Sequence, residues 1–439
     1  MEKILHCPRL RGRLRAPASK SEAHRALITA SLAYLYGGSK NPRRVRCTDL
    51  NRDIEATVAC LTSLGATLER LGEGYLVTPI TAIPPRAEMD CGESGSTLRF
   101  LLPVCCALGS HPTAPAGFTC VITCHGRLPE RPLSPLYEEL IAHGAYLSPK
   151  GSNPLVVQGK LSAGDYRVDG GVSSQFISGL LLALPLLEED STLTVTGKRE
   201  SVPYIEMTLD AISRVTSSVS GTMPSFTVAG RKTAPAVPAD EDFPVVGGDW
   251  SGAAFFLTAG VLGEEDRTVT ITGLERHTRQ GDRAILEVLR AMGGRIGEDK
   301  QGYPIAYPSR LKGCVIDATQ IPDLVPILAV AASVAEGETH IKGASRLRLK
   351  ESDRLKTVSD MISALGGDIA ETPDGLIIRG VPRLTGGTVL AAGDHRIAMS
   401  GAVAATVCTG EVTIIGAESV AKSYPAFWEE FERLNRIRK

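Results

Sequence analysis

The stretch APASKSEAHRAL near the start of the chain places cations where a helix favours anions. Ser19 or Ser21 is suited to cap a helix that continues through the apolar residues that follow. Lys20, His24 and Arg25 then crowd the N-terminal end of that helix, although the positive end of the helix dipole disfavours cations there. Because charge-assisted hydrogen bonds to phosphate or carboxylate are strong, we interpret the cations as a candidate anion-binding site.

Later stretches combine cations with carboxylates. RLRLKESDRLKTV contains Lys350, Glu351 and Arg354 within about one turn, and Lys350 and Arg354, four residues apart, share one helix face. Asp323 in IPDLVP lies at the predicted start of an apolar helix, whose dipole keeps a carboxylate ionised. Pure anion binding gains nothing from carboxylates among cations, so these acids argue against a site that only binds anions.

The composition is typical of a globular protein without an excess of either charge. The 439 residues are enough for two to four domains with buried cores. With 48 Lys and Arg against 49 Asp and Glu, the net charge of −1 gives no reason to expect nucleic acid or an anionic membrane as a partner. Any cationic site is therefore expected to be local.

Ten cysteines lie mostly in apolar runs without the CxxC spacing of a zinc site, so we expect reduced, buried thiols and no metal. TCVITCH, residues 119–125, is interpreted as a strand with cysteines at alternate positions. The N-terminus has no signal-peptide core, and the longest apolar run, FISGLLLALPLL, is too short to span a bilayer. We expect a soluble, cytoplasmic protein.

Internal repeats organise the chain. A polar or Gly/Ser turn followed by about a dozen apolar and small residues recurs about every 70 to 80 residues, longer than the common solenoid repeats. A helix that is apolar all round is a buried helix. The six copies are SKSEAHRALITASLAYLYGG, GESGSTLRFLLPVCCALG, GGVSSQFISGLLLALPLLEE, GGDWSGAAFFLTAGVLGE, ATQIPDLVPILAVAASVAEGE and AGDHRIAMSGAVAATVCTGE.

Between these copies lie amphipathic helices, most of which end in glycine and lead into alternating strands such as YLVTPI, LVVQG, TLTVTG and THIKGA. The chain therefore predicts six strand, helix, strand, helix, strand units. The Pro-rich segment 229–249 is the best boundary for a three-and-three split into two similar globules. If the buried helices run parallel, their N-termini would surround a cleft that attracts anions.

Motifs along the whole chain resemble one enzyme family. In order, they are KSEAHRAL, GESGSTLRFL, RLPERPL, DGGVSSQF, SVPYIEMTL, IPDLVP, RLRLKESDRL, GDHRIAM and AKSYPAF. The set is similar to the 5-enolpyruvylshikimate-3-phosphate synthases, and the pair LKESDRL and DHRIAM is its most specific part. The resemblance implies an α/β (α+β) fold of two domains, each of three βαβαββ units with buried parallel helices, joined by a two-strand hinge.

The resemblance also implies the reaction. It joins phosphoenolpyruvate to the 5-hydroxyl of shikimate 3-phosphate through a tetrahedral intermediate and releases phosphate, without metal or cofactor. Residues 20–246 would mainly bind shikimate 3-phosphate, whereas residues 1–19 and 247–439 would carry much of the phosphoenolpyruvate site and the catalytic acids. The two substrates carry about five to six negative charges together, which explains the cations at the first helix start.

Site residues follow from the matched motifs. For phosphoenolpyruvate they are Lys20, Gly95, Arg131, Arg354, Arg396 and Lys422, with Ser96 beside Gly95 in the same turn and Arg127 as a weaker candidate. For shikimate 3-phosphate they are Ser21, Arg25, Ser173, Ser174, Gln175, Ser201, Tyr204, Asp323, Arg346 and Lys350. The catalytic residues are Lys20, Asp323 and Glu351, with Asp323 as the general base.

Some roles stay open. Either Glu351 or Lys20 could deliver the proton to the methylene carbon. His24 is expected to be structural, and Asp394 to orient Arg396. Arg346 and Glu93 stand where some members of the family have Asn, so the contacts at these two positions are open.

Two other functions compete with this interpretation. One is the related enolpyruvyl transfer to UDP-N-acetylglucosamine, which would require Lys-Asn at the first helix and a reactive loop cysteine near position 120. This chain instead has Lys20-Ser21 at the first helix, and Cys120 and Cys124 alternate as in a strand. The other is a non-catalytic repeat scaffold that binds anions.

Three further expectations concern the behaviour of the protein. We expect it to be a monomer, and its ligand-free form to be open and to close when anions bind. We also expect glyphosate to inhibit it at the phosphoenolpyruvate site.

Overall fold

The computed structural model describes residues 1–48, 51–235, 242–264 and 267–436. The chain divides into two compact units: the middle unit, Ser19–Val246, and the terminal unit, which combines Met1–Ala18 with Gly247–Lys439. Part of the predicted boundary segment, residues 236–241, lies outside the described residues.

Two kinds of helix alternate along the chain, as the repeats predict. The buried helices are α1 (Lys20–Leu32), α3 (Gly95–Leu108), α5 (Ser174–Ala183), α7 (Trp250–Val261), α9 (Val325–Ser333) and α11 (His395–Ala404). The helices between them are α2 (Arg52–Ser63), α4 (Leu136–Ala142), α6 (Val202–Ile212), α8 (Ile285–Ala291), α10 (Arg354–Ala364) and α12 (Phe427–Arg436). In α7, α9 and α11 nearly every side chain is buried, which confirms the prediction of helices that are apolar all round.

The strands are short. In the first half of the chain they are β1 (Glu2–His6), β2 (Gly12–Arg15), β3 (Arg43–Arg46), β4 (Thr67–Leu71), β5 (Gly74–Thr78), β6 (Arg86–Asp90), β7 (Thr119–Thr123), β8 (Ala145–Leu147), β9 (Leu155–Gly159), β10 (Asp165–Asp169) and β11 (Ser191–Thr196). In the second half they are β12 (Val219–Thr222), β13 (Ser225–Val228), β14 (Val269–Thr272), β15 (Arg295–Glu298), β16 (Pro304–Tyr307), β17 (Val315–Asp317), β18 (Glu338–Lys342), β19 (Asp368–Thr372), β20 (Gly375–Arg379), β21 (Gly387–Leu390) and β22 (Glu411–Ile415).

The described strands form six small sheets, and the predicted α/β class is confirmed. In the middle unit the strand orders are β3-β5-β4, β6-β7-β9-β8 and β10-β11-β13-β12. In each four-stranded sheet here the first pair is parallel, as in β6 with β7, and the remaining pairs are antiparallel. A parallel pair needs a crossover, which the buried helix between the two strands supplies.

The sheets of the terminal unit are not each built from one continuous stretch of the chain, because the start of the chain completes two of them. Its strand orders are β2-β14-β16-β15, β17-β18-β20-β19 and β1-β22-β21. Strand β2 pairs in parallel with β14, and β1 pairs antiparallel with β22. The repeat pattern along the chain is therefore shifted by one strand at its two ends.

The helix starts are positioned by close packing of small residues. A Cβ added at Gly179 on α5 would lie 2.3 Å from the carbonyl oxygen of Arg99 on α3. Glycine at this position lets the two helices approach closely, and it brings their N-terminal turns side by side.

Candidate active site

Serines cap the three buried helices of the middle unit. The hydroxyl of Ser19 accepts from the backbone N–H of Glu22, Ser94 accepts from Thr97, and Ser173 accepts from Gln175. The first residues inside these helices are therefore Lys20, Gly95 and Ser174. Each helix presents free backbone N–H groups and a positive dipole end at its start, which suits an anion.

Lys20 has a carboxylate partner that the sequence motif does not reveal. Its Nζ donates to Oδ2 of Asp53 on α2 at 2.7 Å, and both side chains are mostly buried. The pair lowers the cost of a cation at the start of α1, because the nearby carboxylate offsets the unfavourable helix dipole.

Arg25 is buried at 3% exposure, so it is not a solvated helix-end residue. Its guanidinium donates to the Thr208 hydroxyl and to the carbonyl oxygens of Ser21 and Tyr204, each at 2.7 Å. Burial lowers the pKa of Arg25 to about 10, so it stays charged at neutral pH. A shikimate carboxylate at Arg25 would have to share a guanidinium that is already well bonded to protein.

The turn at Gly95 is surrounded by two arginines. A Cβ on Gly95 would lie 2.7 Å from Nη1 of Arg99 and 2.9 Å from Nη1 of Arg131. The missing side chain therefore leaves room for two guanidinium groups at the start of α3. Arg99 was missed by sequence reasoning, although its position four residues after Gly95 places it on the same helix face.

Gln175 links α5 to this turn. Its Nε2 donates to the hydroxyl of Ser96 at 2.8 Å, and its Oε1 accepts from Nη1 of Arg99 at 3.1 Å. Ser174 is buried beside it. The predicted sets for phosphoenolpyruvate and shikimate 3-phosphate are thus in direct contact within the middle unit.

Ser201 begins α6 in an unusual backbone conformation. Its φ of 53° and ψ of 41° are left-handed, and its hydroxyl does not cap that helix in the described structure. Left-handed non-glycine residues cost about 1–3 kcal/mol and concentrate at functional sites. Tyr204 follows one turn later, and its carbonyl oxygen accepts from Arg25.

His24 is a core residue. Its Nδ1 is 2.7 Å from the Thr57 hydroxyl, and burial together with Lys20 and Arg25 holds the pKa of His24 well below its usual value. It is therefore neutral at physiological pH, which fits a structural role.

The cysteines are reduced and mostly buried. Cys120 lies within β7 and is fully buried, and Cys124 directly follows that strand with 6% exposure. The described residues contain no group of three or more His, Cys, Asp or Glu that could hold a metal ion.

Asp323 lies among three cations of the terminal unit. It occupies a 3-10 turn, Pro322–Leu324, that leads into α9. Its Oδ1 accepts from Nη1 of Arg354 at 2.9 Å, its Oδ2 accepts from Nη2 of Arg396 at 3.0 Å, and Nζ of Lys350 is 3.6 Å away. Although burial opposes ionisation, these cations hold the pKa of Asp323 well below its usual range.

Arg354 is the centre of the cluster and is 2% exposed. Besides Asp323, it donates from Nε to Oδ2 of Asp394 at 2.7 Å and from Nη2 to Oε2 of Glu351 at 2.5 Å. Asp394 was predicted to orient Arg396. Its Oδ1 does accept from the backbone N–H of Arg396 at 3.0 Å, but its ion pair is with Arg354.

The remaining predicted residues of the terminal unit are partly or fully buried. Lys350 is partly buried, and burial, together with Arg354 and Arg346, lowers its pKa to about 8 against the opposing effect of Asp323. Arg346 donates to the carbonyl oxygen of Thr319 at 3.1 Å. Lys422 donates to the carbonyl oxygen of Gly393 at 2.7 Å, just before α11.

Two residues of the terminal unit, the partly buried Ser251 and the buried Asp282, were not predicted. The hydroxyl of Ser251 accepts from Nη2 of Arg396 at 3.2 Å and donates to Oδ2 of Asp282. Both stand in polar turns, GGDWSG and RQGD, whose sequences alone indicate only helix starts.

No helix in the described part of the chain is both long and apolar enough to cross a membrane.

Comparison with known proteins gives a consistent result over the full chain. Residues 6–431 match the model of the family described as EPSP synthase (3-phosphoshikimate 1-carboxyvinyltransferase). The 3-phosphoshikimate 1-carboxyvinyltransferase of Clostridium kluyveri is 41% identical over 429 residues, which cover 97% of this chain and 95% of that protein. The enzyme of the same name from a strain of Clostridium perfringens is 38% identical, with 100% of both chains covered.

Solved structures show the same fold. EPSP synthase from Acinetobacter baumannii superposes with a TM-score of 0.77 at 25% identity, covering 99% of this chain and 98% of that one. The enolpyruvyl transferase NikO from Streptomyces tendae superposes with a TM-score of 0.74 at 18% identity, with 98% and 96% of the two chains covered, which indicates a shared fold. With the family model and the curated relatives matched nearly from end to end, the chain belongs to the EPSP synthase family.

Proposed function

We propose that this chain transfers the enolpyruvyl group of phosphoenolpyruvate to the 5-hydroxyl of shikimate 3-phosphate by addition and elimination through a tetrahedral intermediate. The products are 5-enolpyruvylshikimate 3-phosphate and phosphate. The observation that carries the proposal is the carboxylate of Asp323, held ionised between Arg354 and Arg396 beside Lys350. An anion-binding scaffold would gain nothing from such a carboxylate.

Asp323 acts as the general base for the 5-hydroxyl in this proposal. A carboxylate whose pKa lies well below its usual value is a weak base, and catalysis is best when the pKa lies closer to the working pH. Binding of the anionic substrates would raise the pKa of Asp323 towards the working pH. When they bond to Arg354 and Arg396, the two guanidinium groups are shared with new anions, and the pKa of Asp323 rises.

Proton delivery to the methylene carbon is assigned to Lys20 in preference to Glu351. Oε2 of Glu351 is bonded to Arg354 at 2.5 Å, and an ion-paired carboxylate has no proton to give. The ammonium of Lys20, paired with Asp53, carries one. Glu351 then serves to hold Arg354.

The anion-binding groups are assigned by unit. The groups assigned to phosphoenolpyruvate in the middle unit are the turn at Gly95, Arg131 and the unpredicted Arg99. Those assigned to it in the terminal unit are Arg354, Arg396 and Lys422. Shikimate 3-phosphate is bound by Ser21, Arg25, Ser173, Ser174, Gln175, Ser201, Tyr204, Asp323, Arg346 and Lys350.

The proposal also covers inhibition, oligomeric state and location in the cell. Glyphosate, which carries a phosphonate and a carboxylate, competes with phosphoenolpyruvate for the Gly95 turn. The enzyme works as a monomer without a cofactor. Its cysteines are reduced and largely buried, which suits the reducing cytoplasm.

The decisive experiment measures phosphate release from phosphoenolpyruvate with three acceptor conditions: shikimate 3-phosphate, UDP-N-acetylglucosamine and none. We expect release with shikimate 3-phosphate only, and loss of that release in Asp323→Asn. Release with the nucleotide sugar would assign the chain to the other transfer reaction. No release under any condition, from a folded protein, would support the scaffold.

A further inference from the structure

A buried carboxylate behind the Asp323 cluster has no role in the proposed reaction so far. Asp282 is 1% exposed and lies in a 3-10 turn, Gly281–Ala284, directly before α8. Its Oδ2 accepts from the hydroxyl of Ser251, and its Oδ1 has no hydrogen-bond partner among the described residues. A buried, half-satisfied carboxylate is costly, so its presence calls for a compensating use.

The hydrogen bonds around Ser251 form a directed chain. An ionised Asp282 can only accept, so the Ser251 hydroxyl donates to it. The lone pairs of the same oxygen then face Nη2 of Arg396, which donates to it at 3.2 Å and to Oδ2 of Asp323 at 3.0 Å. Asp282 thereby fixes the direction of the hydroxyl that holds one nitrogen of Arg396.

The surrounding turn is built rigidly. Gln280, two residues before Asp282, is buried; its Oε1 accepts from the backbone N–H of Trp250, and its Nε2 donates to the carbonyl oxygen of Gly248. Asp249 caps α7 by accepting from the backbone N–H of Ser251 at 3.0 Å. The backbone of Ser251 is therefore held in place, and the direction of its hydroxyl is set by the two side chains that it contacts, Asp282 and Arg396.

We propose that Asp282 is a positioning residue that acts through Ser251 to set the guanidinium of Arg396 against Asp323 and the phosphoenolpyruvate anion. This inference rests on the proposed function for its kinetic consequence. Misplacing a substrate-binding guanidinium by about 1 Å can cost roughly 100-fold in rate. A protonated Asp282 would instead donate a hydrogen bond to Ser251, and the serine hydroxyl would lose its fixed direction.

The groups around Asp282 shift its pKa towards neutral pH, so that its protonation can change under working conditions. Burial and the negative charges of Asp323 and Asp249 raise the pKa of Asp282 to about 6, against the opposing effects of Arg396 and the Ser251 hydrogen bond. The pKa of the unfolded chain is about 3.9. The native protein therefore binds a proton that the unfolded chain does not between about pH 4 and 6, and the cost of the buried charge is fully present above pH 6.

The test uses the full chain with Asp282→Asn, Ser251→Ala, the double variant, and Glu287→Gln as a matched control at an exposed carboxylate of α8. We expect Asp282→Asn and Ser251→Ala each to lower kcat/KM for phosphoenolpyruvate by about 10- to 100-fold. The double variant should cost no more than the larger single effect, because both act on one chain of hydrogen bonds. Glu287→Gln should match wild type.

Two readouts distinguish positioning from a merely structural role. The ratio of kcat/KM of wild type to that of Asp282→Asn should change near pH 6, because the titration of the substrate phosphates is common to both proteins and cancels in the ratio. The thermal midpoint of Asp282→Asn at pH 8 should not fall below that of wild type, because the substitution removes a buried charge. Additive costs in the double variant, or a ratio that does not change with pH, would overturn the inference.

Separate measurements keep failure of the inference distinct from failure of the proposed function. Calorimetric binding of phosphoenolpyruvate reports on Arg396 even without turnover, and Asp282→Asn should weaken it. If Asp282→Asn does not fold, Ser251→Ala alone decides: normal binding and kcat/KM in that variant would overturn the inference.

Discussion

Nη1 of Arg354 donates to Oδ1 of Asp323 at 2.9 Å, so the expected general base is bonded to a cation that an anionic substrate would also use. The same guanidinium is buried against Asp394 and Glu351. We therefore expect that binding of a substrate anion to Arg354 also releases the Asp323 carboxylate for proton transfer.

Asp323→Asn should separate chemistry from binding. The amide keeps the shape of the side chain but cannot accept the hydroxyl proton, so turnover should fall by about 10² to 10⁴. Shikimate 3-phosphate affinity, measured by calorimetry, should change far less. A variant that retains more than about a tenth of wild-type turnover would place the base elsewhere.

The charge of Lys350 should make shikimate 3-phosphate binding depend on pH. Its pKa is lowered to about 8, so Lys350 loses its positive charge as the pH rises from 7 to 9. Affinity should fall about tenfold over that interval, in proportion to the charged fraction. Calorimetry on Lys350→Arg provides the control, since a guanidinium stays charged and should flatten the dependence. An equal fall in both proteins would remove Lys350 from the explanation.

Gly95→Ala should weaken glyphosate more than phosphoenolpyruvate. The added methyl would lie under 3.0 Å from the guanidinium nitrogens of Arg99 and Arg131, which are flexible enough to move without unfolding the protein. Overpacking of this kind costs about 1–3 kcal/mol, or about 5- to 150-fold in affinity. Inhibition and substrate titrations on both proteins check this. Equal weakening of the two ligands, or no competition in wild type, would contradict the placement of Gly95.

Arg131 and Arg127 are expected to differ in importance. Arg131 lies against the Gly95 turn, whereas Arg127 is 54% exposed and contacts Glu130 at 3.7 Å, an ion pair of little value. Arg131→Gln should raise the KM for phosphoenolpyruvate by about 10- to 150-fold, as loss of a charged hydrogen bond predicts. Arg127→Gln should change it by less than about threefold. The reverse order of effects would move the binding role to Arg127.

The sequence predicted local features and missed distant partners. Helix starts at Lys20, Gly95 and Ser174 follow from capping residues and apolar runs, which act within a few positions. The partner of Lys20, Asp53, lies 33 residues away on another helix. Hydrogen bonds across such separations depend on packing, which spacing in one sequence does not encode.

Other residues were missed because the sequence on either side of them predicts an ordinary core helix or turn. Arg99 stands inside the apolar run STLRFLLP, where composition predicts core. Asp282 and Ser251, 31 residues apart, look like ordinary turn residues, and only the burial of Asp282 and the hydrogen bond between the two reveal their chemistry. Conversely, Asp323 was predicted because the motif IPDLVP matches the family, whereas a carboxylate at an apolar helix start by itself indicates only a favourable helix residue.

The pairing of β1 and β2 with late strands sets an order of events during synthesis. The ribosome makes β2 about 250 residues before its partner β14, and β1 about 410 residues before β22, so both strands emerge without their sheets. All strand partners within the middle unit lie between residues 43 and 228. The middle unit is therefore able to fold while translation continues, and the terminal unit completes its sheets only after the last strand has left the ribosome.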